Sequence, residues 1–500
     1  MSDVRRVLAS RAEERPADPA YIRAADGRLL TWQALAHYAE GLREQARASA
    51  LPQRARIGIV ADDPLAFTAV YLAALAAELT AVPIDPRLTA AELGATADRL
   101  RVDVLVSDRP AELPDLPDAE LWDAGSQHPL FVRGAASTAR PSSAAALRPA
   151  VLLTSSGTTG APKGIGLSEW QLLHAARRVA RHHGFGPAER GYNPLPLFHV
   201  NAQVMGLLAA LVSGASLVLD RRFERDAYWD RVARWSPTWL NTVPAVLAAL
   251  ATQPPPADAV AARIRFARSA SAPLPAATRE AFTAATGVPV LETYGMTEAA
   301  GQITANPLDP AARRDGSVGV PVGVELAVLG PAGRPVAPGE LGMVALRGRQ
   351  IADRYLVAGD DGSERSRPAR DVAGWLATGD LGARDEDGFV YLAGRADDVI
   401  NRGGEKVFPQ EVEEVLLAHP AVRSAAVVAA PHERLGQVPV ALVTVGPGHP
   451  GGELIAALHE LCARRLARYK RPTGIEIATA LPTGPTGKVL RRRVREELPR

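Results

Sequence analysis

The sequence predicts an α/β fold: a large N-terminal domain of helix-flanked, parallel-type sheets over residues 1–394, with a β-rich subdomain at about 307–394, and a small α+β C-terminal domain over 395–500. Three observations carry this prediction. Apolar strand-like runs alternate with helix-spaced segments as far as VPVLETYGMTEA, the rhythm of a parallel sheet with crossover helices. Past Asn306 the chain changes to short runs broken by Gly and Pro, as in GSVGVPVGVELAVLGPAGRPVAPGELGMVALRG, which reads as short strands. Beyond Gly394 a helix (QEVEEVLLAHP), two strands, a helix and a strand (IEIATALP) form a compact series of their own.

Taken in order, MSDVRRVLASRAEERPADPA has helical spacing and lacks the apolar core of a signal peptide, so a cytoplasmic location is expected. YIRAADGRLLTW places two β-like runs around Asp26-Gly27, a hairpin signal, and TWQALAHYAEGLREQARA follows with helical spacing. The most apolar stretch, Leu65 to Ile84, resembles a membrane span but contains Glu78 and ends in VPID, which predicts a buried helix feeding a strand. Arg133 to Pro149, RGAASTARPSSAAALRP, reads as a flexible connection. WLATGDLGARDEDGFVYLAGRADD holds a second hairpin signal at Asp387-Gly388, and the chain ends in a basic helix, VLRRRVREEL.

With 500 residues, the chain exceeds what a single core usually supports. Lys plus Arg at 57 nearly balance Asp plus Glu at 55, so the totals carry no nucleic-acid footprint. The lone Cys462 excludes an intrachain disulfide, and its place in ELIAALHELCARRLARY reads as packing.

The stretch LLTSSGTTGAPKG, Leu152 to Gly164, joins an apolar strand to a run of Ser, Thr and Gly and then one lysine. Backbone N–H groups in such a turn make an anion nest, Ser155, Ser156, Thr158 and Thr159 add hydroxyls, and Lys163 adds charge. Gly157 and Gly160 permit the tight backbone path. This is not GxxxxGK(S/T), because Ala161 and Pro162 separate glycine from lysine and Gly164 follows it. Taken alone, the run is equally an ordinary solvated turn.

Together TSSGTTGAPKG, YGMTE, TGD, GRADD and PTGK, in this order and at these separations, resemble the AMP-forming adenylate synthetases, above all the oxalate- and 4-coumarate-type acyl-/aryl-CoA ligases. The resemblance covers nearly the whole chain. It implies ATP-dependent activation of a carboxylic acid as acyl-AMP with release of pyrophosphate, then transfer to CoA, with Mg²⁺ as metal. Thr154, Ser155, Ser156, Gly157, Thr158, Thr159 and Lys163 would hold the outer phosphates. Ser271, Ala272 and the strand Glu292, Thr293, Tyr294, Gly295 and Met296 would form the adenine pocket, Thr297 would touch the α-phosphate, and Glu298 with Thr158 would bind the metal. Asp380 would hold the ribose hydroxyls, Arg395 would lie near ribose and phosphate, and Lys488 would stabilise adenylation. The same resemblance makes the C-terminal domain mobile about a hinge at Asp397, with Gly403, Gly404, Lys406 and Arg222 along the CoA path. Singly, Asp380 reads as a turn cap, Arg395 as a surface ion pair, Lys488 as a solvated charge and Tyr294 as core.

His199 in PLFHVNAQ resembles the ring gating the acyl pocket, and is also readable as a satisfied core histidine. Asn201, Gln203, Ala299, Ala300 and Gly301 are further pocket candidates, suited to a small or flat acid. Malonate-activating relatives commonly carry Arg directly before the YGMTE tyrosine; this chain has Thr293 there. An alternative acceptor is a carrier-protein thiol in trans, an amine, or nitrite, and an alternative class is a silent nucleotide-binding protein. No nucleic-acid or membrane partner is expected, and the chain is expected to be a monomer or homodimer.

Overall fold

The computed structural model describes residues 2–108, 121–123, 131–134, 149–155, 163–358, 364–446, 451–484 and 488–497. Most of the Ala/Ser/Pro connection expected over 133–149 lies outside them.

Two nine-stranded sheets form the bulk of the chain. The first has a parallel centre in which Val290–Met296, Phe266–Ser269, Trp239–Thr242, Arg190–Asn193, Ser216–Leu219 and Pro19–Arg23 lie side by side. The second sets Val151–Ser155 beside Thr80–Pro83, Arg56–Val60 and Val104–Ser107, all parallel. Both therefore realise the expected β-then-α rhythm.

The helix Pro64–Ala76 explains why the most apolar stretch is not a membrane span. All 13 of its residues are buried, and it packs against Arg56–Val60 and Thr80–Pro83 of one sheet and Pro19–Arg23 and Leu29–Thr31 of the other. A helix covered on every side has no polar face to keep. The Asp63 carboxylate caps it, accepting from the Leu65 and Ala66 N–H groups at 2.8 and 3.0 Å. Among the described residues no helix is long and apolar enough to cross a membrane.

Beyond Asn306, Glu325–Leu329, Gly342–Arg347, Leu376–Arg384 and Val390–Arg395 make a four-stranded antiparallel sheet with its own apolar cluster, centred on Val344, Leu346 and Ile351. The strands of this stretch are shared out, however. Arg354–Ala358 leaves the sheet and pairs with Lys163–Leu167, Tyr355 opposite Ile165, and Glu364–Pro368 extends that edge. The β-rich region thus reaches into the sheet whose strands flank the Ser/Thr/Gly run.

The C-terminal stretch folds around a separate cluster in which Val412, Leu416, Val427, Val443 and Leu458 are buried. Its five-stranded sheet is built on the long hairpin Val422–His432 and Gly436–Val445. Cys462 is buried in this cluster, and burial pushes its thiol up to about 11, so packing is its role.

Candidate active site

The site gathers where the strands of the first sheet end. Val290–Met296 starts parallel to Phe266–Ser269 and then continues antiparallel to Gly301–Ala305, with a register shift between Tyr294 and Gly295. A Cβ on Gly295 would stand 2.2 Å from the Gly301 carbonyl oxygen, so only glycine permits this close return. The chain then makes the short 3₁₀ turn Thr297–Ala299, which presents Glu298. Ser271 (φ +73°) and Ala300 (φ +53°) lie in the left-handed region beside it, where non-glycine residues are held only by their surroundings.

Three sequence-predicted residues meet directly. The Tyr294 hydroxyl donates to Asp380 Oδ2, and Arg395 Nη1 donates to Asp380 Oδ1 at 3.2 Å and to the Thr378 carbonyl at 2.8 Å. Asp380 and Arg395 face each other across the antiparallel pair Leu376–Arg384 and Val390–Arg395. Gly379 (φ +79°) keeps the arginine in place, since a Cβ there would lie 2.5 Å from Nη2. Burial and the neighbouring Asp380 raise the Tyr294 phenol far above its ordinary value, so it is a hydrogen-bond donor only.

A second cluster joins Lys163 to Glu298, the expected metal carboxylate. The Lys163 ammonium lies 5.0 Å from the centroid of the Tyr355 ring, and the Tyr355 hydroxyl donates to Glu298 Oε1 at 3.3 Å. Burial raises the Glu298 carboxyl, while its own backbone, Tyr355, Lys163 and Arg395 pull it back down. Ser155 and Lys163 face each other across the strand pair that flanks the loop. Ser156, Gly157, Thr158 and Thr159 lie outside the described residues. Among those described, no group of three or more His, Cys, Asp or Glu could hold a metal alone. A single hard carboxylate suits Mg²⁺, which takes one or two protein carboxylates and shares substrate phosphates.

Lys488 reaches this region from the C-terminal stretch. Partial dehydration lowers its ammonium, as does Arg395, while Asp380 and Asp398 raise it. It remains an exposed residue. Just beyond it, Arg491 grips Glu413 through Nη1 and Nη2 at 2.5 and 2.9 Å, and its Nε lies 3.3 Å from Asp398. Asp398 ends the short turn Ala396–Asp398 that contains Asp397.

The acyl-pocket candidates separate on inspection. His199 has an unpartnered, buried Nε2 beside Phe198, and dehydration draws its imidazole down to about 4 despite Asp85. Asn201 opens a π-helix, Asn201–Leu208, and π-bulges are frequent at functional sites. Gln203 ties its Nε2 to the Leu197 carbonyl at 2.9 Å and leaves Oε1 buried without a partner. Ala299 packs into the antiparallel-sheet cluster and Ala300 into the main core, so their small size serves packing; Gly301 abuts Met205. Glu292 is half-buried and its carboxyl is raised to about 8 by dehydration and Glu414, and the Thr293 hydroxyl donates to the Ser269 carbonyl at 3.2 Å.

The CoA-path candidates stand apart. Arg222 is exposed and lies 3.7 Å from Glu224, and Gly403 and Gly404 form the exposed turn before Lys406, both with positive φ. Among the described residues no hydrogen bond or ion pair joins either group to the Asp380 or Glu298 cluster. Sequence reasoning missed Tyr355, whose strand position is visible only through its pairing with Lys163–Leu167, and Arg268, hidden within RFARSASAPL.

Comparison with known proteins accords with this geometry. Residues 8–356 match the family model of the AMP-binding enzyme, and residues 411–488 match that of the AMP-binding enzyme C-terminal domain. Sulfoacetate–CoA ligase of Cupriavidus necator is 44% identical over 343 residues, 69% of this chain and 66% of that protein, so the alignment spans just under two thirds of that relative. Oxalate–CoA ligase of Arabidopsis thaliana is 31% identical over 87% of both chains. The crystal structure of the anthranilate CoA ligase AuaEII in complex with anthranoyl-AMP superposes with a TM-score of 0.84 at 27% identity, covering 99% of this chain and 97% of that one. The chain belongs to the AMP-binding enzyme family, and these relatives within it are acid–CoA ligases.

Proposed function

We propose that this chain is an AMP-forming acid–CoA ligase. In the first step a carboxylate oxygen attacks the α-phosphorus of ATP, and pyrophosphate leaves with the electron pair of the broken P–O bond. In the second, the CoA thiol gives up its proton, its sulfur attacks the acyl carbonyl, and AMP departs. The observation that carries the reading is Lys488, from the C-terminal stretch, sharing one electrostatic neighbourhood with Asp380 and Arg395, which face each other across the antiparallel sheet. A cation there meets two negatively charged reactants as they approach, and charge stabilisation of that kind lowers the barrier.

In this scheme Tyr294 is the adenine platform, Asp380 takes the ribose hydroxyls, Thr297 meets the α-phosphate, and Lys163 with the Ser/Thr/Gly loop holds the leaving pyrophosphate. Mg²⁺, held by Glu298 and substrate phosphates, would offset triphosphate charge. A boundary near 394/395 with Asp397 as hinge lets the C-terminal unit turn after adenylation, bringing Gly403, Gly404 and Lys406 toward the thiol. The acids named for the relatives, sulfoacetate, oxalate and anthranilate, are all small, which favours a small acid here. Acid-dependent ATP–pyrophosphate exchange, followed by mass-spectrometric detection of acyl-CoA, tests the proposal. Exchange without any acyl-CoA would transfer the second step to another acceptor; no exchange with any acid would overturn it.

A further inference from the structure

Arg268 is 3% exposed in the strand Phe266–Ser269, and among the described residues no carboxylate pairs with it. Its Nη1 donates to Asn201 Oδ1 and Asn241 Oδ1, both at 2.9 Å, while its Nε is buried with no acceptor at all. Burial draws the guanidinium down to about 9, so it stays cationic at neutral pH. A charge taken out of water without a counter-ion is costly, and buried arginines are ordinarily paired.

The amides around it are fixed in one direction. Asn193 Nδ2 donates to the Leu195 carbonyl at 3.0 Å, which leaves its Oδ1 to accept from Asn241 Nδ2 at 2.8 Å. Asn241 must then offer its oxygen to Arg268, and Asn201, offering its own, donates through Nδ2 to Ser271 Oγ at 3.0 Å. The chain of amides locks the guanidinium between Asn201, two residues past His199, and the turn at Ser271. None of these partners is charged, so the cation is oriented and not neutralised.

We infer that Arg268 is the counter-cation for a second anionic group on the acid, so that the substrate is a short dianion carrying the carboxylate to be activated and a second carboxylate or a sulfonate. This rests on the acid–CoA ligase reading and deepens it. Thr293 stands where malonate-type relatives commonly carry arginine, and its hydroxyl is committed to the Ser269 carbonyl. Arg268 lies opposite Leu291 on the adjoining strand, so a buried cation is retained one strand over. His199, neutral and with a free buried Nε2, and Gln203, with a free buried Oε1, line the same π-helix region without adding positive charge.

The test measures acid-dependent ATP–pyrophosphate exchange by the full chain with oxalate, malonate, succinate and sulfoacetate, against acetate, propionate, butyrate and benzoate. The wild type is expected to favour at least one dianion over its singly charged counterpart by more than about 30-fold in kcat/KM, the scale of one buried charge contact. Arg268→Met is expected to erase that preference chiefly through KM while leaving the singly charged acids within about 3-fold, and Arg268→Lys to restore part of it. Wild-type preference for singly charged acids would overturn the inference while leaving the ligase reading intact. So would equal loss on both classes in a soluble Arg268→Met protein, because that is what a purely structural role predicts. The wild-type panel needs no variant to fold. Absence of exchange with every acid would sink the ligase reading and this inference with it.

Discussion

Tyr355 donates to Glu298 across 3.3 Å while its ring face carries the Lys163 ammonium, 5.0 Å from the centroid, so one aromatic residue spaces the lysine proposed for the phosphates from the carboxylate proposed for the metal. Arg367 also lies over the ring, at 4.8 Å. Tyr355→Phe keeps the ring and removes the hydroxyl; it is expected to raise the Mg²⁺ concentration needed for half-maximal exchange by roughly 3- to 10-fold, the net worth of one ordinary hydrogen bond, since this one is long. Tyr355→Leu removes both contacts and is expected to lower kcat/KM for ATP by about 10- to 100-fold. Identical behaviour of the two variants would show that the hydroxyl alone matters.

Asp380 is bracketed by Tyr294 and Arg395, so ribose hydroxyls would compete for oxygens that are already engaged. Wild-type enzyme should discriminate ATP from 2′,3′-dideoxy-ATP, and Asp380→Ala should lose that discrimination while raising KM for ATP by about 10- to 100-fold. Initial-rate exchange with both nucleotides measures it. Retained discrimination in the variant would place the ribose elsewhere.

Most of the fold is legible in the sequence because it follows local chemistry. The hairpin at Asp26-Gly27 forms, with Gly27 at φ +83°; so does the one at Asp387-Gly388, with Gly388 at φ +91°. Ser168 and Gln171 start the helix Glu169–His183 with a capping box, and Gly184 ends it. The site is legible only where a motif holds its own residues together. Tyr355 escapes because its meaning lies in pairing with a strand far earlier in the chain. Arg268 escapes because a charged residue in an alternating strand suggests a solvent face, whereas here both faces of a parallel sheet are covered. The π-helix at Asn201 escapes because nothing in the spacing of PLFHVNAQVMG marks π over α hydrogen bonding.

Two partly dehydrated titratable groups give the ligand-free enzyme opposite pH slopes. Glu292, raised to about 8 from an ordinary 4.5, binds more protons folded than unfolded between those values, so its contribution to stability falls as pH rises through that window. His199, lowered to about 4, binds fewer protons folded, so its contribution is present above its ordinary value near 6.5 and lost as pH falls toward 4. Glu292→Gln should therefore gain on the order of 1–3 kcal/mol relative to wild type between pH 5.5 and pH 8.5. His199→Gln should narrow the deficit at pH 4.5 instead. Denaturant midpoints at the three pH values decide; parallel curves for wild type and Glu292→Gln would mean that the carboxyl is hydrated.

Arg491 ties the helix following Lys488 to Glu413 and Asp398, so it holds the segment carrying Lys488 in register with the turn containing Asp397. This separates two ways of losing the first half-reaction. Lys488→Ala removes only the charge and is expected to cut acid-dependent exchange by about 100-fold or more, as loss of a transition-state cation does, while thioester formation from a supplied acyl-adenylate stays within about 3-fold. Arg491→Ala breaks a mostly buried, two-pronged pair, leaves Glu413 uncompensated, and is expected to destabilise the C-terminal unit by about 3–5 kcal/mol. Its thermal unfolding should show an earlier transition, and both half-reactions should fall together because both need that unit folded. Equal loss of both steps in a stably folded Lys488→Ala protein would contradict the assignment of this lysine to adenylation alone.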